Sequence, residues 1–275
     1  STWKPDDSLL MVSRRVPGVG DGLALLEPYT GQFLEPESGP LPDTQVTHPA
    51  WAPDDSLIAY VSGANEWGSA NTTGDLSTME VQGPRAFGPP QVLKTAAEVA
   101  AVPGAHPPSG TTISYPTWSP DAQWIAFAHG TGSRSDRHQA ALYLMRRDGG
   151  QVTRLDAANA GPQTDFNFQP NFSPFDEGGY YWLTFLSRRP YGNAEVGNLG
   201  AVPAHPQIWI TAIKKDPAPG EDPSAAAYWL AGQNPRSSSL SGYWAPRACR
   251  DDGDGCEVGS QCCSGECVPD RKSVV

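Results

Sequence analysis

One short phrase recurs along this chain and restricts its fold more than any other feature. It reads Trp3-Lys4-Pro5-Asp6-Asp7, Trp51-Ala52-Pro53-Asp54-Asp55 and Trp118-Ser119-Pro120-Asp121, with a looser copy at Phe172-Ser173-Pro174-Phe175-Asp176. Proline fixes φ and aspartate bonds its own backbone just downstream, so the Pro-Asp pair sets a tight turn. Each copy then runs into an apolar stretch, at Leu9–Val12, Leu57–Val61, Trp124–Ala128 and Tyr181–Leu186. The aromatic residue is suited to burial and the stretch to a central strand. Copies roughly 50 to 70 residues apart predict a repeat architecture with one antiparallel sheet per repeat.

These residues resemble the PD40 repeat of the TolB-like β-propellers, an aromatic-Ser-Pro-Asp-Gly phrase before an apolar strand. The resemblance covers residues 1–246. The chain departs from that pattern by carrying Asp7, Asp55, Ala122 and Glu177 where the repeat prefers glycine. The expected fold is all-β: a propeller of four-stranded antiparallel blades, four recognisable and a fifth begun at Trp244-Ala245-Pro246, followed by a small disulfide-rich tail at 247–275. What the resemblance implies is a periplasmic, cell-surface or secreted scaffold for protein–protein interaction, without catalysis.

Composition agrees with many short strands and abundant turns: 28 prolines, 29 glycines and only 18% charged residues in 275. A formal net charge of −11 argues against nucleic-acid binding, which needs a basic surface. No apolar run reaches 18 residues, so no membrane-spanning helix is predicted. All five cysteines fall between Cys249 and Cys267. A disulfide module attached to a cysteine-free body points to an oxidising compartment.

The expected strands after each phrase form four-stranded meanders. They are Leu23–Glu27 in the first repeat, Leu76–Val81 and Val92–Lys94 in the second, Ala141–Arg146 and Val152–Leu155 in the third, and Ile208–Ile213 and Tyr228–Leu230 in the fourth. In such a meander the turns between strands one and two, and three and four, lie at one end, and these read as short. The other connections read as long: Arg14–Gly22, Gly63–Gly74, Gly130–Gln139 and Arg188–Gln207 within blades, with the blade crossings beside them. Binding residues concentrate on loops carried by a rigid scaffold, so the long-loop face is the expected working face.

That face collects arginine. Ser13-Arg14-Arg15 and Ser187-Arg188-Arg189 recur at the expected end of strand two, and Arg134 and Arg137 decorate the matching loop of the third repeat. Guanidinium forks at one rim suit carboxylates or other anions; the alternative is bracing between blades against the surplus Asp and Glu. Tyr191 and Asn193, in the Arg188–Gln207 insertion, are candidate recognition residues. His129, ending a central strand on the same side, is the candidate for acid–base work.

Other chemistry is thinly represented. No Gly-x-Ser-x-Gly elbow occurs, and His48, His106, His129, His138 and His205 show no paired metal spacing. Asn71-Thr72-Thr73 reads as a loop-exposed glycosylation sequon. Asp251, Asp252 and Asp254 resemble a calcium loop in composition, but without the alternation and terminal glutamate of an EF-hand they read as a compact turn. No other cofactor is implied. The tail, Cys249-x6-Cys256-x5-Cys262-Cys263-x3-Cys267, resembles the inhibitor-cystine-knot frame. That frame implies pairing of Cys249 with Cys263 and of Cys256 with Cys267, leaving Cys262 to seek a sixth cysteine.

The leading expectation is a non-catalytic extracytoplasmic scaffold that binds a protein partner through its long-loop face. One alternative is the propeller part of a hydrolase or polysaccharide lyase whose catalytic region lies elsewhere; another is a structural subunit of an extracellular assembly. A ring with blade-opening phrases near both ends is expected to belong to a longer propeller or to be completed by another chain.

Overall fold

The computed structural model describes residues 1–16, 20–66, 71–107, 109–134, 138–161, 165–175, 178–191 and 205–245, with the backbone alone for residues 15, 16, 20 and 21. The chain divides into two units, Ser1–Gly242 and Tyr243–Val275. In the second, only residues 243–245 are described, and they form no strand.

The first unit is a four-bladed β-propeller of antiparallel sheets. Blade 1 holds β1 (Thr2–Trp3), β2 (Leu10–Val16), β3 (Gly20–Leu26) and β4 (Phe33–Leu34). Blade 2 holds β5 (Val46–Trp51), β6 (Leu57–Ser62), β7 (Asp75–Gly83), β8 (Ala86–Phe87) and β9 (Gln91–Lys94), with both β8 and β9 paired to β7. Blade 3 holds β10 (Thr112–Trp118), β11 (Trp124–Gly130), β12 (Ala140–Arg146) and β13 (Thr153–Arg154). Blade 4 holds β14 (Asn167–Phe172), β15 (Tyr180–Ser187), β16 (Gln207–Lys214) and β17 (Tyr228–Trp229). Two short helices, α1 (Ala96–Ala100) and α2 (Asp156–Asn159), lie in the crossings between blades. Among the described residues no helix is long and apolar enough to cross a membrane.

The repeated phrase is a turn with a side-chain lock. Asp6 Oδ1 accepts from the Ser8 amide at 3.0 Å, Asp54 Oδ1 from Ser56 at 3.2 Å, and Asp121 Oδ1 from Gln123 at 3.1 Å. The residue after each aspartate is left-handed, with φ of 59° at Asp7, 57° at Asp55 and 57° at Ala122. Those are the positions where the repeat prefers glycine, the residue that adopts positive φ without steric penalty. Asp55 offsets its strain by accepting from Trp51 Nε1 at 2.7 Å.

The core lies between blades, not within them. One cluster joins blades 1 and 2 (Met11, Leu25, Trp51, Tyr60), a second blades 2 and 3 (Leu76, Trp118, Ile125, Phe127), and a third blades 3 and 4 (Trp124, Leu142, Phe172, Leu183). Successive side chains of β11 therefore feed two different interfaces, Trp124, Ala126 and Ala128 one way and Ile125 and Phe127 the other. Burial on both faces is why such strands read as unbroken apolar runs rather than as alternation. Each phrase aromatic packs toward the preceding blade. Trp51, Trp118 and Phe172 are buried, whereas Trp3, which no described blade covers, is 53% exposed. Among the described residues, no strand of blade 4 packs against blade 1 as consecutive blades pack against each other.

Several expected boundaries shift. Arg14–Gly22 is not a long loop: β2 and β3 run through it in register, pairing Arg14 with Gly22 and Val16 with Gly20. Ser13 consequently sits inside a strand while Ser187 ends one, so the two Ser-Arg-Arg runs are not equivalent. The β16–β17 connection is long, although it lies at the end expected to carry short turns. The β7–β8 hairpin was not anticipated from the sequence. Asn71 is buried, its Nδ2 donating to Thr112 Oγ1 at 3.0 Å and to the Thr73 carbonyl. The folded chain therefore does not offer that sequon as an exposed loop.

Candidate functional site

The two ends of the blades differ in how their charges are used. At the Pro-Asp end the phrase acids tie neighbouring blades together. Lys4 reaches Asp55 at 2.9 Å, Arg147 reaches Asp54 at 2.8 Å, and the Tyr181 hydroxyl donates to Asp121 Oδ2 at 2.6 Å. These acids are committed to the scaffold.

Along the edge of β3, from Phe33 and Leu34 beside the β3–β4 turn to Gly22 toward the opposite end, blade 1 opens into a cleft of about 300 Å³. Its wall is the crossing from blade 1 to blade 2, held down at two places. The Leu23 amide donates to the Pro42 carbonyl at 2.8 Å, and a Cβ on Gly22 would lie 2.9 Å from Asp43 Cα, so glycine is needed for this approach. Farther along, Phe87 and Glu37 exchange backbone hydrogen bonds with Ser38 and Arg85, and the Arg85 guanidinium pairs with the Glu37 carboxylate at 2.7 Å. The unanticipated β7–β8 hairpin supplies this anchor. The cleft has an apolar floor of Leu23, Ala24, Leu34 and Leu41. Arg14 stands at its edge, its guanidinium 4.2 Å from the centroid of Phe33. Glu35 and Asp43 line the rim as well, and among the described residues neither carboxylate nor Arg14 takes part in an ion pair.

The other predicted site residues are dispersed. Arg189 is buried on blade 4. Its Nη2 donates to the Ala158 carbonyl at 2.6 Å and to Asn167 Oδ1 at 2.8 Å, its Nε donates to Ser187 Oγ, and its guanidinium lies over Trp209. Burial lowers its pKa to about 10, partly offset by Asp165, so it stays charged at neutral pH while bracing blade 4 against α2. Arg188 is half-buried beside Phe166, and Arg134 is exposed. Tyr191 stacks on Trp229 at 5.1 Å and meets Trp209 edge-on. His129 is fully buried against Tyr143 and under Gly110, where a Cβ would fall 2.3 Å from the imidazole. Burial lowers its pKa to about 4, so it sits in the core as a neutral ring out of reach of solvent. The Arg15 side chain, Arg137, Asn193, all five cysteines, and Asp251, Asp252 and Asp254 lie outside the described residues. Among the described residues no cluster of three or more metal-ligating side chains occurs.

A polar network at the junction of blades 3 and 4 went unrecognised in the sequence. Asp165 is fully buried and accepts from Arg154 Nη2 at 2.6 Å and pairs with His106 Nδ1. Arg154 also pairs with Asp156, and the Tyr143 hydroxyl bridges to the backbone of His106. Desolvation raises the Asp165 pKa, against the pull of Arg154 and His106. Its members come from two crossings and two strands, so no local spacing announces them.

No family model and no curated protein sequence matches this chain. Among solved structures it is similar to the putative TolB from Agrobacterium tumefaciens, with 21% identity and a TM-score of 0.45 over 82% of this chain and 64% of that one. It is also similar to TolB from Acinetobacter baumannii, with 14% identity and a TM-score of 0.43 over 83% of this chain and 56% of that one. A third is the periplasmic gluconolactonase PpgL of Pseudomonas aeruginosa, at 16% identity and a TM-score of 0.41 over 84% of this chain and 72% of that one. The chain spans less than two-thirds of the length of either TolB.

Proposed function

We propose that this chain is a non-catalytic extracytoplasmic scaffold that engages a protein partner through its long-loop face, with the blade 1 cleft as the anchoring point. The observation that carries this reading is the cleft: an apolar floor beside one cation and two carboxylates, none of them in an ion pair among the described residues. Apolar anchors in a pocket, ringed by polar groups, are the usual energetic centre of a protein interface. The opposite end spends its acids on blade-to-blade ties. The cysteine cluster between Cys249 and Cys267 supports an oxidising compartment.

The test is affinity for the partner isolated from the native source. Arg14→Glu and Phe33→Ala, both at exposed positions, are expected to weaken binding by about tenfold or more, the range of an interface anchor, with the unfolding midpoint unchanged. Undiminished binding in both variants contradicts the reading.

One observation favours the enzymatic alternative. The buried Asp165 fixes His106 through Nδ1 while the His106 side chain remains 30% exposed, an arrangement that orients an imidazole for proton transfer. Turnover of peptide or uronide substrates that His106→Gln abolishes would favour that alternative over the scaffold.

A further inference from the structure

The first strands of blades 2, 3 and 4 share an irregularity at the same place. The β5–β6 register shifts between Thr47 and Ala50, β10–β11 between Ser114 and Thr117, and β14–β15 between Phe168 and Asn171. In each case the residue at the shift is left-handed and is not glycine: His48, Tyr115 and Gln169, all with φ of 50°. Each precedes a proline, Pro49, Pro116 or Pro170, and each stands three residues before the phrase aromatic. A non-glycine residue in this conformation costs about 1–2 kcal/mol. Here the same strain is kept in three successive blades, and retained strain of this kind gathers at binding sites.

First strands line the axis of a propeller, so equivalent positions on them form one level of a ring. Two of the three demonstrably meet: the His48 and Tyr115 rings are stacked, with centroids 3.8 Å apart and 26° between their planes. His48 is also unsatisfied. Both its ring nitrogens are buried, and neither has a hydrogen-bond partner. Buried polar groups are nearly always paired, so an orphaned imidazole at a strained, repeated position marks a place where a ligand supplies the missing bonds.

The chemistry of that ligand is narrowed by three observations. With its ring nitrogens buried and its pKa lowered by desolvation to about 3, the His48 imidazole is neutral and offers one donor and one acceptor. Gln169 adds a planar amide with the same pair of functions, and the His48–Tyr115 stack adds a flat aromatic wall. The Ser1 ammonium acts on His48, while the formal net charge of −11 repels polyanions. An added peptide strand is disfavoured, because a bulge and a proline interrupt the edge of each first strand where backbone pairing would form. Vicinal hydroxyls on a pyranose supply adjacent donors and acceptors, and its C–H face suits an aromatic wall. We propose that His48, Tyr115 and Gln169 form an axial binding site for a neutral saccharide, distinct from the blade 1 cleft.

The experiment follows the imidazole nitrogens of His48 by long-range 1H–15N NMR. Cellobiose, maltose and N,N′-diacetylchitobiose are titrated separately into the full chain, with digalacturonate and trialanine as comparators. The expected result is saturable movement of the His48 nitrogen resonances with at least one neutral disaccharide, and smaller or no movement with the comparators. Tyr115→Ala should weaken that response by about tenfold, the order of a lost stacking contact. Gln169→Leu should weaken it too and serves where Tyr115→Ala fails to fold. No response of His48 to any neutral disaccharide overturns the proposal, as does a response confined to trialanine or digalacturonate. So does a neutral-disaccharide response unchanged in a folded Gln169→Leu variant. Because the cleft residues are untouched, failure here leaves the partner reading standing.

Discussion

Replacing Asp165 with alanine is expected to lower the unfolding free energy by about 3–5 kcal/mol, the loss typical of breaking a buried ion pair from one side. The Asp165 side chain is fully buried, and that of Arg154 is only 6% exposed. Without the carboxylate, Arg154 keeps only Asp156, which is itself 68% exposed, and its Nε has no partner to begin with. The desolvated guanidinium then sits between blades 3 and 4 largely uncompensated. His106 loses its anchor in the same substitution, and with it the tether on the crossing that carries it. For a chain of this size the loss corresponds to a fall in Tm of roughly 10 °C. Asp156→Ala is the matched comparison: it touches the same arginine from the solvent side, where an ion pair is worth about 0–1 kcal/mol. Urea unfolding of the two variants beside the parent measures both. Equal, small losses would mean that Asp165 does not hold the junction together.

Acid should destabilise the protein well above the carboxylate range. Burial lowers the pKa of His48 to about 3 and that of His129 to about 4, from an ordinary 6.5. The unfolded chain therefore binds protons that the folded chain refuses. The stability these two rings confer is complete above pH ~6.5 and drains away as pH falls toward the folded values. At pH 5 each ring has forfeited about 2 kcal/mol, so the pair together accounts for about 4 kcal/mol. Asp165 works the other way: its raised pKa favours the folded state as pH falls. Carboxylates with lowered pKa, such as Asp54 and Glu98, add their losses only below the ordinary carboxylate range. The window between pH 6.5 and 5 thus belongs mainly to the two histidines. Urea midpoints at pH 7.5, 6.5, 5.5 and 5 give the profile, and His129→Gln should flatten it by about half. A profile level from pH 7.5 to 5, or imidazole resonances titrating near 6.5, contradicts the burial of these rings.

Much of the architecture is written locally, which is why it is legible. The Pro-Asp phrase carries its turn within five residues, because the aspartate binds the amide two positions on. The apolar run after it is continuous because blades pack on both of its faces. What escaped the sequence depends on partners far along the chain. The β7–β8 hairpin matters because it grips a crossing nearly fifty residues earlier, at Glu37 and Ser38. Asn71 looks like a loop residue until Thr112 closes over it. His129 ends a strand on the long-loop side, yet the crossing at Gly110 lies on top of it. Of the arginines grouped by their sequence context, Arg14 reaches a cleft while Arg189 turns inward to the Ala158 carbonyl. The X-Pro step before each aromatic was visible, but its meaning as a left-handed bulge appears only when three strands are compared.

The long-loop face as the working face is tested most directly by mapping where a partner touches. A photo-reactive phenylalanine analogue can replace Asp43, Glu66 or Thr131 at the long-loop end, and Asp54 or Asp121 at the Pro-Asp end. After irradiation in extract from the native source, adducts with one and the same partner should form from the first three positions and not from the last two. Adducts confined to positions 54 and 121 would contradict it.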